Sequence, residues 1–122
     1  RELCVRHEVR IPSVTGDCFM QAPFWKCGSD GGDFGRLLAE FDEVVEACAA
    51  AGIGLIVVPL VDNGRIETAA QNTILQECLL ARADALRSSG VSIVFESDLP
   101  PSALTEWIAA FPDKVFGINY DT

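Results

Sequence analysis

Long apolar runs are missing from this chain of 122 residues, since no uninterrupted stretch reaches the roughly 18 residues that a membrane-spanning helix requires. The first residues, Arg1-Glu2-Leu3-Cys4, have the features of neither a signal peptide nor an initiator methionine. We therefore expect no membrane partner, and we expect the chain to begin inside a larger protein.

Positive charge is scarce. Nine Lys and Arg residues stand against 18 Asp and Glu residues, which gives a net charge of −9 and a pI near 4.4. A nucleic-acid backbone would be repelled overall by such a chain. We therefore expect no nucleic-acid partner.

Histidine and closely spaced cysteine pairs are also lacking. The only histidine is His7, and the five cysteines show no C-x-x-C spacing. An odd cysteine count without a secretory signal indicates reduced thiols and a cytoplasmic location. Cys48 and Cys78 fall within helical patterns and are expected to be small core residues. No motif supplies a base beside any cysteine, so we expect no cysteine nucleophile.

Apolar residues are abundant, at 49% of the chain with a mean hydropathy of +0.25, which suffices for one domain with a sizeable core. The clearest helix runs from Arg36 to Gly52, where apolar residues recur every three or four positions before a glycine. The pattern predicts a second helix over 68–89, ended by Gly90. It also predicts a short helix from Ser102, as its cap, to Phe111.

Strands are predicted between these helices. The predicted strands cover residues 9–14, 53–61, 91–96 and 115–121. A helix tail is predicted over 1–8 and an irregular loop over 16–35. The strict alternation predicts a parallel α/β sheet with right-handed crossovers. The nearly continuous aliphatic stretch over 53–61 is typical of a strand in such a sheet.

Two of the predicted strands end on carboxylates, Glu96 and Asp121. Neighbouring strands of a strand–helix–strand unit run parallel about 4.8 Å apart, so both residues would stand at the same edge of the sheet. Open sheets and barrels of this kind place their chemistry at that edge. Paired carboxylates there indicate a divalent metal site.

Each of these two strands has a bulky face and a smaller, more polar face. The bulky faces carry Val91, Ile93 and Phe95, and then Phe116, Ile118 and Tyr120; the smaller faces carry Ser92, Val94 and Glu96, and then Val115, Gly117, Asn119 and Asp121. Bulky faces suit packing against helices, and the smaller faces suit a crowded barrel interior. A complete (β/α)8 barrel needs eight strands and roughly 250 residues. We therefore predict that residues 1–122 are a single fragment of a TIM-barrel domain, with an open four-stranded sheet as the alternative.

One family shares these features. The segment Ile118-Asn119-Tyr120-Asp121-Thr122, one helix and one strand after Phe95-Glu96, resembles the xylose isomerase-like TIM-barrel family of sugar and sugar-phosphate isomerases and epimerases. Residues 12–20 resemble the third strand of that family and residues 56–62 the fourth, so the two carboxylate strands correspond to the fifth and sixth. The resemblance covers essentially the whole chain.

The resemblance implies a cofactor and a mechanism. In that family a divalent metal (Mn, Mg, Co or Zn) is held by Glu, Asp, His and Glu at the ends of the fifth to eighth strands. Glu96 matches the first ligand and Asp121 the second, while the other two would lie beyond Thr122. The implied reaction is proton transfer beside the carbonyl of a sugar or sugar phosphate, through an enediolate, with Glu96 as both ligand and base. We expect little or no catalysis from these 122 residues alone.

Four further residues are candidates for contact with the substrate. Asp17 and Asp62 end strands on the same rim and are candidates to bind sugar hydroxyls, although turn formation is the commoner use of such residues. In the long loop, Trp25 is a candidate to cover a sugar ring and Lys26 to meet a phosphate. The alternative is a loop that packs its own aromatic side chains.

Two other functions remain open. A non-catalytic α/β module that binds a partner or small ligand through its acidic rim would need neither Glu96 nor a metal. An apurinic endonuclease-like member of the same barrel superfamily would cleave abasic DNA, which the single histidine and the acidic charge disfavour. Apolar edge strands over 9–14 and 115–121 also predict a tendency to homo-oligomerise or aggregate.

Overall fold

Helices and strands alternate along the chain in the computed structural model, which describes residues 1–28 and 31–120. The strands are β1 (Ser13–Thr15), β2 (Leu55–Leu60), β3 (Ser92–Ser97) and β4 (Phe116–Ile118). The helices are α1 (Glu2–Arg6), α2 (Asp17–Gln21), α3 (Gly32–Ala51), α4 (Ala69–Leu80), α5 (Ala83–Ser89) and α6 (Pro101–Ile108), with 3-10 turns at Phe24–Lys26 and Asp62–Gly64.

The four strands form one sheet in the order β1-β2-β3-β4, and every neighbouring pair is parallel. The predicted parallel α/β class is therefore confirmed. The two central strands pair along their whole length of 6 residues, whereas β1 and β4 contribute 3 residues each. The long strands β2 and β3 thus form the middle of the sheet, and the short strands form its edges.

The core lies on one face of this sheet. The register places Ile56 beside Ile93 and Val58 beside Phe95, and all four side chains are at most 1% exposed. They form one cluster with buried residues of the helices, which include Phe41, Val45, Leu75, Leu79 and Leu86, and with Phe111, which follows α6. On the opposite face of β3, the side chains of Ser92, Val94 and Glu96 are half-buried and stand outside that cluster. The predicted division of this strand into two faces is confirmed.

An aromatic group anchors β4 to this core. The Phe116 ring lies 6.3 Å from the Phe95 ring and 5.0 Å from the Phe111 ring, measured between centroids. Trp107 packs edge-on against Phe95 at 4.9 Å. The prediction that Tyr120 packs with them is wrong, because β4 ends at Ile118 and the Tyr120 side chain is 77% exposed.

The predicted helix ending at Gly52 is confirmed, with an earlier start at Gly32. Its buried stripe is Leu37, Phe41, Val45 and Cys48. Gly52 takes the left-handed conformation with φ of 78°, which a glycine adopts without the steric penalty that a Cβ brings. The next amide, of Ile53, then donates to the Cys48 carbonyl at 2.8 Å and closes the last turn.

The single helix predicted over 68–89 is two helices, α4 and α5. Thr68 caps the first by accepting from the Gln71 amide at 3.2 Å. The break falls at Arg82, whose guanidinium donates to both carboxylate oxygens of Asp42 at 2.6 and 2.9 Å and to the Cys78 carbonyl at 3.0 Å. The hydrogen bond with Asp42 raises the pKa of the Arg82 guanidinium. The interruption therefore coincides with a side-chain contact to Asp42 of α3.

Three other predicted boundaries shift. The first strand starts at Ser13 rather than at residue 9, because β2 offers partners only from Leu55 onward; Val9 and Ile11 are 54% and 47% exposed. The loop predicted over 16–35 contains α2 and a 3-10 turn. Helix α6 begins with Pro101, so Ser102 is not its cap.

No helix in the described ranges is long and apolar enough to cross a membrane.

Candidate functional site

The carboxyl ends of the parallel strands meet at one edge of the sheet. Asp17 follows β1, Asp62 follows β2, and Glu96 stands at the last position but one of β3. Asn119 follows β4 directly, and its amide donates to the Phe95 carbonyl at 2.9 Å. This bond continues the register beyond Ile118 and sets Asn119 opposite Glu96. Sequence position and topology thus bring the predicted polar residues to the same edge.

Glu96 occupies the face of β3 that the core leaves uncovered. Its neighbour across the sheet is Pro59 of β2, and Val94 precedes it on the same face. The Glu96 side chain is half-buried. Within residues 1–28 and 31–120, no side chain hydrogen-bonds to its carboxylate or forms an ion pair with it. A partly desolvated carboxylate with free oxygens is able to bind a cation or to accept a proton.

A cleft of about 500 Å³ adjoins this carboxylate, and we call it the rim cleft. Its polar wall is formed by Glu96, Ser97, Asp98 and Asn119, at the ends of β3 and β4. Its apolar wall is formed by side chains of α6 and of the strand ends, which are Leu99, Leu104, Ile108, Ile118 and Tyr120. The rim cleft therefore places an apolar surface next to two carboxylates.

Asp121, the other predicted metal ligand, lies outside the described residues. Asp17 is the first residue of α2 and Asp62 the first residue of a 3-10 turn, and both side chains are exposed. Asp62 has a φ of 47°, in the left-handed region that Asp tolerates better than most residues, as expected for a turn former. No group of three His, Cys, Asp or Glu residues able to hold a metal ion occurs among the residues that the structure describes.

Trp25 does not face a ligand surface. Its side chain is 0% exposed, it packs edge-on against Phe24 at 5.1 Å, and its indole nitrogen donates to the Gly64 carbonyl at 3.1 Å. The alternative that the loop packs its own aromatics therefore describes this residue. The Lys26 ammonium forms an ion pair with Glu67 at 3.1 Å. A phosphate at Lys26 would have to compete with this carboxylate.

The connection after β2 is held by contacts that the sequence pattern does not predict. The Asn63 side chain donates to the Met20 and Gln21 carbonyls at 3.0 and 3.1 Å, at the end of α2. A Cβ on Gly64 would stand 2.4 Å from the Pro59 carbonyl oxygen, so the chain there requires a glycine. The pair Asn63-Gly64 is a common turn signal and indicates a tight turn. It does not indicate that Asn63 contacts the end of α2.

Arg65 links this connection to the one that contains the rim cleft, because its guanidinium forms an ion pair with Asp98. Both side chains are about half exposed, at 55% and 44%. Such a pair across 33 positions gives no signal in the sequence.

None of the described residues that line the rim cleft is a cysteine. Cys48 is buried on α3, and burial raises the pKa of its thiol. Burial likewise raises the pKa of the partly buried Cys78 thiol. A raised pKa keeps a thiol protonated and unreactive, which agrees with the prediction that both are core residues.

No protein-family model matches this chain, and no curated protein matches it.

Proposed function

We propose that this chain supplies four consecutive strands of a (β/α)8 barrel from a metal-dependent isomerase or epimerase acting on a sugar or sugar phosphate. In this proposal β1 to β4 correspond to the third to sixth strands of the xylose isomerase-like family. Glu96 is a metal ligand and the base that moves the proton, and Asp121 is a second ligand.

The strand order supports the barrel. In a doubly wound open sheet the strand order reverses at a switch point, and helices cover both faces. Here the strands follow each other without reversal, and right-handed crossovers then bring every connecting helix to the same side. On β3 and β4 the other face carries small and half-buried residues such as Ser92, Val94 and Gly117. Closing the sheet into a barrel is the arrangement that buries such a face.

The position of Glu96 carries the functional part of the proposal. It stands at the carboxyl end of a central strand, on the uncovered face, beside a cleft and without an ion pair among the described residues. Conserved chemistry in barrels is found at the carboxyl ends of strands, where side chains from several strands converge. A carboxylate engaged in a structural ion pair would be unsuited to this role.

The described residues fit one part of a metal site. Glu96 offers the hard oxygen ligands that Mg²⁺ and Mn²⁺ prefer. Residues 1–28 and 31–120 contain no complete group of three ligating side chains, so Asp121 and residues outside this chain would complete the site. A bound divalent metal would polarise a sugar carbonyl and its neighbouring hydroxyl. In an isomerase, Glu96 would then take the proton from the carbon beside the carbonyl and return it to the carbonyl carbon, while the hydroxyl proton passes to the carbonyl oxygen. In an epimerase the proton would return to the opposite face of the same carbon.

Binding of Mn²⁺ tests this proposal. Free Mn²⁺ is measured by electron paramagnetic resonance while the 122-residue protein is titrated. We expect one site in the wild type and an affinity loss of about tenfold or more in Glu96→Gln, because removing a ligand costs at least as much as removing a supporting residue. Glu46→Gln is the control, since Glu46 is an exposed glutamate on α3 outside the rim cleft, and its affinity should equal that of the wild type.

Equal Mn²⁺ affinity in the wild type and Glu96→Gln would contradict the metal role. That result would favour the second candidate, a non-catalytic α/β binding module. The mainly apolar wall of the rim cleft and the absence of a three-residue metal group among the described residues favour this candidate. It predicts ligand binding that neither metal nor Glu96→Gln changes.

A further inference from the structure

We propose that Arg65 is a specificity-determining residue of the rim cleft: by pairing with Asp98 it cancels that carboxylate's charge and leaves Glu96 to set the charge that a ligand meets. The rim cleft has two ionisable carboxylates in its described wall, Glu96 and Asp98, and no lysine or arginine. Only Asp98 has an ion-pair partner among the described residues. The two carboxylates therefore differ in their effect on a ligand.

Arg65 acts from outside the cleft. Asp98 lines the rim cleft on one side and a smaller cavity of about 160 Å³ on the other. Arg65 lines only the smaller cavity, together with Leu60, Asn72 and Trp107. Asp98 is thus a wall residue of the rim cleft, whereas Arg65 is not. Arg65 would therefore affect the rim cleft through its ion pair with Asp98.

Both partners of this ion pair start from an anchored backbone. The Arg65 amide donates to the Asp62 carbonyl at 3.2 Å, and the preceding Gly64 carbonyl accepts from the buried Trp25 indole at 3.1 Å. On the other side, the Leu99 amide donates to the Ser97 hydroxyl at 3.2 Å, and two prolines follow. Anchoring lowers the entropy that an exposed pair loses on forming, which is what weakens most such pairs.

The pairing changes what the rim cleft attracts. With Asp98 compensated, its described wall carries one net negative charge, and without Arg65 it would carry two. A unit charge about 8 Å away changes the local concentration of a monovalent cation relative to a monovalent anion by about sixfold at low salt. At 0.15 M ionic strength screening reduces the change to about twofold. Arg65 thus limits the cation preference of the cleft and weakens its repulsion of anionic ligands.

The experiment measures the charge of the cleft directly. Cationic and anionic nitroxides of equal size are added to the protein, and the paramagnetic relaxation of the Tyr120 ring protons and the Leu104 and Ile108 methyls is compared. Arg65→Met should raise the cation-to-anion ratio about sixfold at low salt, and Asp98→Asn should lower it to a similar extent. The double variant should return to the wild-type ratio, and Arg65→Lys should stay near it.

Unchanged ratios in Arg65→Met and Asp98→Asn, or shifts of the same sign in these two variants, would overturn the inference. Circular dichroism verifies that each variant is folded, and Arg65→Lys and Asp98→Asn remain informative should Arg65→Met unfold. The inference rests on the proposed function only for its second readout, in which Arg65→Met tightens Mn²⁺ binding by a similar factor. Absence of Mn²⁺ binding in the wild type would refute a metal site that these 122 residues form by themselves, while the nitroxide ratios would still decide the role of Arg65.

Discussion

Replacing Trp25 with phenylalanine tests whether the loop after β1 is part of the core. The indole is 0% exposed and donates to the Gly64 carbonyl at 3.1 Å. The substitution keeps an aromatic ring but removes the fused pyrrole ring, which costs about 1–2 kcal/mol of packing. It also leaves the Gly64 carbonyl without this donor, which costs about 1–2 kcal/mol more. We therefore expect a loss of about 3 kcal/mol in the free energy of unfolding.

This loss should be easy to measure. Unfolding entropy is about 2.1 cal/mol/K per residue, so for a chain of 122 residues 1 kcal/mol shifts Tm by about 4 °C. Trp25→Phe should therefore lower Tm by about 12 °C, and urea unfolding followed by circular dichroism should show a lower midpoint with an unchanged slope. Tyr120→Phe is the control, because Tyr120 is 77% exposed and the change should stay within about 0.5 kcal/mol.

A Trp25→Phe variant as stable as the wild type would refute this reasoning. It would mean that the indole neither fills the core nor holds the Gly64 carbonyl. The alternative role of Trp25, as a cover for a sugar ring, would then have to be considered again.

Two other predictions concern Gly64 and Cys48. Gly64→Ala should destabilise the protein by more than about 2 kcal/mol, because its Cβ would stand 2.4 Å from the Pro59 carbonyl oxygen. Gly35→Ala, in an open position on α3, should stabilise the protein by about 0.5–1 kcal/mol. Urea unfolding compares the two variants, and equal effects would contradict the prediction. Burial raises the pKa of the Cys48 thiol in the folded state. The contribution of the neutral thiol to the free energy of unfolding is therefore fully present below about pH 8.5 and is lost as pH rises through the folded pKa. The free energy of unfolding, measured from pH 7 to 10, should therefore decline less in Cys48→Ala than in the wild type. Parallel declines in the two proteins would show that the thiol is not involved.

Local sequence patterns predicted the elements whose causes are local. The α3 stripe and Gly52 were predicted because a repeat of three to four residues and a left-handed glycine leave a direct signature. The two faces of β3 were predicted for the same reason, since alternation along a strand determines which side chains share a face. The order of these elements then predicted the parallel sheet.

Tertiary contacts determined what the sequence did not predict. The break between α4 and α5 falls where Arg82 contacts Asp42 on another helix, and no glycine or proline marks it in the sequence. The indole of the buried Trp25 donates to the Gly64 carbonyl, 39 positions away. The Arg65–Asp98 pair joins two connections that the sheet brings together. In each case the two residues in contact are far apart in the sequence, so no local hydrophobic periodicity predicts the contact.

Mapping where Mn²⁺ binds shows whether Glu96 is a metal ligand. Amide resonances of the isotope-labelled protein are recorded as substoichiometric Mn²⁺ is added, because the ion broadens the signals of nearby residues. We expect the amides of Glu96, Ser97 and Asn119, at the ends of β3 and β4, to broaden first, and Glu96→Gln to remove this pattern. Broadening first on the exposed acidic helices, unchanged in Glu96→Gln, would contradict a metal site at Glu96.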